Sequence, residues 1–275
     1  MKKVVFWQPF FLKVLLQKAN SPGRMRKFVL IGKKNYFSSM QEYLLFIDTE
    51  TTGLPKKWTV GYAAKDNWPS AVQVAWIIFT KEGKEVKREN FYVNENDIRI
   101  SAQAQRVHRI DDSYLRKHGV PRLTVMEKLK SDLAKFKPLV VGHFIALDVH
   151  VLGADFYRCA LAQPFSELSL FCTMIGSSKY VKKPWKKHLR LNELYQELFE
   201  TELEKAHNAL IDAEATARSY FELVKRKEIT EEVIRGQQVT LSEQLAVNRG
   251  QLSKSALLVV IFFLVGIIVC FLLIF

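Results

Sequence analysis

Hydrophobic and polar positions divide the chain near residue 40 and again near residue 228. Between those points the apolar residues first come in short, β-branched and aromatic runs. Tyr43–Asp48, Val72–Thr80 and Glu85–Val93 read as strands, and Lys81-Glu82-Gly83-Lys84 as the turn of a hairpin. The apolar spacing then becomes helical in Arg122–Phe136, which predicts an amphipathic helix with Leu123, Met126, Leu129, Leu133 and Phe136 inward. Pro138–Gly142 reads as a short buried strand, Leu147–Cys159 as a helix and Leu168–Thr173 as a fifth strand. Leu191–Phe199 and Asn208–Lys225 are two more helices. Three antiparallel strands, then strands alternating with helices, predict an α/β domain: a mixed five-stranded sheet flanked by helices.

The two ends differ from this middle. Glu228–Ser255 reads as a polar, partly helical stalk. Ala256–Phe275 carries no charge, and at 1.5 Å per residue it matches the roughly 30 Å hydrocarbon layer of a bilayer. It predicts a transmembrane helix, a C-terminal tail anchor. Arg249 and Lys254 flank its N-terminal side, which places the main domain in the cytoplasm. In residues 1–40, Phe10, Phe11, Val14 and Leu15 fall on one helical stripe before Ser21-Pro22-Gly23 breaks it. That leader is either an interfacial helix or disordered, with Met25 and Met40 as alternative starts.

Charge sharpens the division. The net charge is +13, and nine of the 41 basic residues lie in residues 1–40 with no acid among them. The remainder therefore holds 32 basic against 28 acidic residues and is only mildly basic. A hydrophobic content of 48% excludes disorder throughout. Cys159, Cys172 and Cys270 have neither disulfide nor metal-ligand spacing, which suits a reducing compartment.

Five residues carry the candidate chemistry. Asp48 and Glu50 end an apolar run in FIDTETTGLP, and alternation along a strand puts both on one face. Gly53 lets the chain turn away there and a substrate approach. Asp148 follows about a hundred residues later in GHFIALD, and His207 and Asp212 close the set in AHNALIDAEA. Carboxylates gathered at one site cannot all ionise at neutral pH without cations. Hard oxygen ligands suit magnesium or manganese, and paired ions of this kind serve phosphodiester cleavage. His207 and Asp212 are about 140° apart on a helix, so His207 belongs at its lead-in and Asp212 in its second turn. An imidazole that titrates near neutrality suits a general base.

The motifs Phe46-Ile47-Asp48-Thr49-Glu50-Thr51-Thr52-Gly53-Leu54 and Ala206-His207-Asn208-Ala209-Leu210-Ile211-Asp212-Ala213 resemble those of the DnaQ-like 3′–5′ exonucleases. These are the DEDD exonucleases with a histidine in the third motif. The resemblance runs from about Glu42 to Lys225. Val107-His108-Arg109-Ile110-Asp111 is similar to the family's His-Gly-Ile segment, with Arg109 at the glycine. The second motif has His143-Phe144 where the family commonly has His-Asn.

The resemblance implies a ribonuclease H-like fold and two Mg2+ or Mn2+ ions. Asp48 would bridge both ions, Glu50 and Asp212 would hold the first, and Asp148 would support the second. His207 would act as general base. The implied reaction attacks the last phosphodiester with water and releases nucleoside 5′-monophosphates from a nucleic acid with a free 3′ end, single-stranded DNA before RNA.

Thr51, Thr52, Gly53, Leu54, His108 and Phe144 are the expected strand contacts around the site. Lys182, Lys183, Trp185, Lys186 and Lys187 form a basic, aromatic loop suited to phosphate neutralisation and base stacking, or alternatively a solvated charged loop. Neither His108 nor His143 is placed among the metal ligands. A catalytically silent nucleic-acid-binding scaffold is the reading from another class, and the filling of all five positions argues against it. The sequence leaves the oligomeric state open, a dimer included.

Overall fold

The computed structural model of the chain describes residues 41–238. The strands are β1 (Tyr43–Thr51), β2 (Ala71–Thr80), β3 (Glu85–Val93), β4 (Gly119–Val120), β5 (Leu139–Gly142) and β6 (Leu170–Cys172). The helices are α1 (Ala102–His108), α2 (Asp112–His118), α3 (Arg122–Phe136), α4 (Ile145–Arg158), α5 (Thr173–Gly176), α6 (Leu191–Phe199) and α7 (Ala209–Lys225). A further helical segment covers residues 231–238. The sheet runs β4-β3-β2-β1-β5-β6. β1, β2 and β3 pair antiparallel, whereas β5 and β6 join β1 in parallel and β4 joins β3 in parallel.

Alternation along β1 assigns its side chains to two cores. Leu45 and Ile47 pack with Trp76 and with Met126 and Leu129 of α3 and Leu152 and Phe156 of α4. Leu44 and Phe46 face the other way, onto Leu194 of α6 and Tyr220 and Leu223 of α7. Asp48 and Glu50 continue the Phe46 face, so they emerge beneath α7 at the carboxyl end of the strand. In open α/β sheets that end is where ligands bind.

The mixed α/β expectation holds, with corrections. The sheet has six strands rather than five. The missing one, β4, is two residues long, too short for any period to show in sequence. No helix among the described residues is long and apolar enough to cross a membrane, which does not support the expected C-terminal transmembrane helix. Residues 256–275, on which that expectation rested, lie outside the described residues, as do the leader 1–40 and residues 239–255. Residues 228–238, read as the start of a stalk, instead pack on the domain. Ile229, Val233 and Ile234 join the α6–α7 core. The side-chain amides of Gln237 and Gln238 both donate to and accept from the backbone of Cys172 and Leu170, closing the outer edge of β6.

Leu123, expected inward, is exposed. The inward position in that first turn belongs to Arg122, whose guanidinium bonds Asp97 and Asp155.

Candidate active site

β1 is held in the middle of the sheet, and its last residues set the positions of two acids. Glu50 lies opposite Gln73, and the register shifts between Glu50 and Thr51, a bulge after which Thr51 still pairs with Ala71 of β2. α4 begins just after β5 and carries Asp148 in its first turn. There the Thr49 hydroxyl donates to Asp148 Oδ1 at 2.8 Å, which ties the third acid to the strand holding the first two. α7 brings in the fourth. Asn208 caps it by accepting from the N–H groups of Leu210 and Ile211, and Asp212 lies in the first turn. That is one turn earlier than the spacing suggested, because the helix starts at Ala209. His207 precedes the cap with φ 68°, and its N–H donates to Asp212 Oδ2 at 3.0 Å. This left-handed turn swings the imidazole back toward the acids. Ligand atoms of Glu50, His207 and Asp212 lie within 4.8 Å of one another.

The electrostatics are those of a site that lacks counter-charge. Burial, then the carboxylates of Asp148, Asp212 and Glu50, holds Asp48 well above the ordinary carboxylate range. Burial, then the carboxylates of Asp212 and Asp148, pushes Glu50 up to about 8. Asp148 is pushed up to about 7 by burial, against the hydrogen bond from Thr49, and Asp212 to about 6 by burial, against the His207 N–H. Among the described residues no Lys or Arg pairs with any of these four. Asp212 Oδ1 is buried without a hydrogen-bond partner. An oxygen-rich donor set with a partnerless buried carboxylate oxygen fits divalent cations.

The sequence matches the family model described as Exonuclease over residues 45–220. The chain belongs to this exonuclease family. The match spans the DnaQ-like motifs around Asp48, Glu50, Asp148, His207 and Asp212.

Solved structures agree on the fold. E. coli exonuclease I in complex with a dT13 oligonucleotide matches at 21% identity and TM-score 0.55, over 67% of this chain and 41% of that one. The zinc ion bound form of the E. coli exonuclease I–single-stranded DNA complex matches at 18% identity and TM-score 0.55, over 73% of this chain and 43% of that one. A 3′-exonuclease in 3′-end-specific recognition of a histone mRNA stem-loop matches at 13% identity and TM-score 0.54, over 69% of this chain and 84% of that one. The chain thus spans less than half the length of the exonuclease I structures. No curated protein matches the sequence significantly.

The exonuclease site gathers all five expected catalytic residues at one end of β1, but the expected strand contacts divide. Thr51 donates its hydroxyl to the Gly53 carbonyl at 2.6 Å, and the Thr52 hydroxyl accepts from the Ser70 N–H at 3.1 Å. Both hydroxyls therefore brace the loop. A Cβ at Gly53 would meet only Ser101 Oγ at 3.6 Å, so the backbone φ of 159° rather than crowding is what favours glycine there. Leu54 is 72% exposed, and Phe144 is exposed as well. His108 is buried, and its Nδ1 accepts from the Ile110 N–H, so it braces α1's end. In the basic loop, Lys182 pairs with Glu197 and Lys186 with Glu193. Lys183 and Lys187 make no ion pair among the described residues, and Trp185 is 80% exposed.

Sequence reasoning missed two positioning residues. Thr49 was passed over between the two acids. Gln73, fully buried on β2, accepts from the Ala209 N–H at 3.2 Å and donates to Asn90 at 2.9 Å and Asn208 at 3.4 Å, fixing the start of α7. The available signal was one amide inside the otherwise apolar AVQVAWIIF run.

Proposed function

We propose that the domain hydrolyses the terminal phosphodiester at the 3′ end of a nucleic-acid strand, DNA before RNA, and releases nucleoside 5′-monophosphates. The observation that carries this reading is the convergence of Asp48, Glu50, Asp148 and Asp212 without any internal cation. Asp48, Glu50 and Asp212 would hold Mg2+ or Mn2+, with Asp148 supporting a second ion. When bound, the ions supply counter-charge for the phosphate and make water a stronger nucleophile.

The chain's own residues do the rest. Asp148 is aimed by Thr49, and Asp212 is aimed by the His207 N–H, so the acids are set before substrate arrives. His207 is exposed at the mouth of the site, where a ring nitrogen can take the proton that the attacking water gives up. The exposed Trp185 and the Lys183 and Lys187 side chains, which make no ion pair among the described residues, lie on a loop tied down at Leu189, whose carbonyl accepts from His143 Nε2 at 3.0 Å. Since His143 directly precedes Phe144, the loop's basic stretch is fastened beside the entry to α4 and can neutralise strand phosphates there.

DNA is favoured because the exonuclease I structures hold single-stranded DNA oligonucleotides; the histone mRNA stem-loop complex favours RNA as the second reading. Incubation of the full chain with matched, 5′-labelled DNA and RNA strands and magnesium decides both. Stepwise shortening from the 3′ end, stopped by EDTA, is the expected result. Intact strands under all metal conditions would overturn the assignment.

A further inference from the structure

Exposed aromatics are costly to leave in water, and two of them meet beside the catalytic helix. Trp58 is 41% exposed and Phe144 37%, with ring centroids 5.7 Å apart. Phe144 is the N-cap of α4, about one helical turn before Asp148, and makes no side-chain cap. Its backbone is left-handed at φ 74°, a conformation that disfavours an aromatic residue by roughly 1 kcal/mol. Strain of this kind persists where the surroundings enforce it, often at functional sites.

Trp58 does not stand on a loose loop. Behind it the buried Trp68 stacks on His150 at 4.8 Å and 23°, and both meet Trp58 edge-on at 6.0 Å. Tyr62 Oη lies 3.0 Å from His150 Nδ1, and Trp68 Nε1 donates to the Val60 carbonyl at 3.1 Å. Tyr62 also fills a notch in α4, since a Cβ at Gly153 would lie 2.5 Å from its hydroxyl. The Asn67 side chain both accepts from the Lys57 N–H and donates to the Lys57 carbonyl, at 2.9 Å each. One helix thus carries a catalytic carboxylate and the base of a rigid aromatic stack, and the stack's outer faces remain open.

We propose that Trp58 and Phe144 form a stacking platform for an unpaired nucleobase close to the 3′ end, which makes the site selective for single-stranded ends. This rests on the exonuclease reading above for the strand's polarity. A base held in a duplex keeps its faces on its neighbours, so it reaches the platform only after fraying. Stacking on aromatic side chains is tolerant of base identity, so the platform selects for unpairedness rather than sequence.

The test measures binding of 5′-labelled DNA and RNA strands to the full chain, with calcium replacing magnesium, as each of the last four bases is made abasic in turn. In the wild type, one position should weaken binding about tenfold when abasic. In Trp58→Ala the same change should have less than about a twofold effect, because the stacking partner is already gone. Phe144→Asn, a residue suited to the left-handed backbone, should show the same loss of coupling without risk to the fold. Equal weakening of base-bearing and abasic strands by Trp58→Ala at every position would overturn the platform. In turnover with magnesium, Trp58→Ala should lose about tenfold in kcat/KM on single strands and far less on blunt duplexes. Digestion without base coupling sinks the platform alone; base coupling without digestion sinks the exonuclease reading and leaves the platform.

Discussion

Helix α4 buries two aspartates, and the surroundings of Asp148 and Asp155 differ in one respect. Asp155 lies 3.1 Å from Arg122 Nε and 2.6 Å from Arg158 Nη1, and it also accepts from the Ala71 N–H at 3.0 Å. Burial raises its pKa, and the two guanidiniums oppose that rise. Asp148 has the Thr49 hydroxyl and, as further neighbours, Asp48 and Asp212. One charge is neutralised from within and ties α3, α4 and β2 together. The other waits for a cation from solution. Burying a charge is costly unless it is paired, so an acid left in this state marks a place where the fold gives up stability for chemistry.

Replacing each aspartate in turn is the strongest way to break the comparison. Asp148→Asn should reduce exonuclease turnover by roughly 10³-fold or more, while the metal-free protein melts at the same or a higher temperature. Asp155→Asn should do the reverse: a loss of about 3 kcal/mol in stability, because Arg122 and Arg158 lose their shared partner, with turnover per folded molecule largely kept. Denaturant melts and single-turnover rates on both variants read this directly. A destabilised Asp148→Asn would show that Asp148 is structural after all.

His207→Ala comes next, with an expected loss of about 10²-fold or more in turnover. His207 also offers a metal-ligand atom, but its backbone N–H, which holds Asp212, survives the substitution. The magnesium-induced rise in melting temperature should therefore be mostly kept. Near-full turnover at neutral pH would remove His207 as the proton acceptor.

Titration sharpens the same contrast. Glu50, Asp148 and Asp212 have folded-state values of about 8, 7 and 6, all above the ordinary range of an unfolded carboxyl. The folded state therefore binds the extra protons, and the associated stability is present in acid and lost as pH rises toward 8. Buried His143 and His150 work in the opposite sense. Burial depresses each to about 4, so their contribution is complete above the unfolded value near 6.5 and lost as pH falls below it. Between pH 6.5 and 8 only the carboxylate effect should be moving. In EDTA the melting temperature should fall across that window, and magnesium should abolish most of the fall. A flat profile in EDTA would mean that the acids are neutralised from within.

Much of this arrangement was legible in the sequence, and the reason is local. Asp48 and Glu50 are fixed by strand alternation, His207 and Asp212 by a helix start, and the α6 bounds by apolar spacing, so short-range rules suffice. What escaped depends on partners far along the chain. Gln73 finds the start of α7, Thr49 finds Asp148, and Arg122 displaces Leu123 because Asp155 lies across the core. The lysines of residues 182–187 read as free cations, yet Lys182 and Lys186 meet glutamates of α6. The aromatic stack under Trp58 was invisible for the same reason: Trp68 and His150 meet only once β1's following loop folds onto α4.

The smallest expected effect separates two left-handed residues in the way the aspartates are separated. Arg109 closes α1 at φ 61°, with its N–H donating to the Gln105 carbonyl, and the conformation is simply what this helix end requires. Glycine adopts it without a Cβ penalty. Arg109→Gly should therefore stabilise the fold by about 0.5–1 kcal/mol, offset in part by the greater freedom of glycine in the unfolded chain. Phe144 holds the same kind of backbone at φ 74° with its ring exposed against Trp58. Phe144→Asn should also gain a few tenths of a kcal/mol, since asparagine tolerates that region better, but the gain should come with weaker binding of single strands. Equilibrium unfolding of the two variants beside strand affinity gives four numbers. Gains in stability for both with a loss of affinity for Phe144→Asn alone would mean that one strained residue serves the fold and the other serves the substrate. Equal affinity in both would leave the strain at Phe144 as only another helix cap.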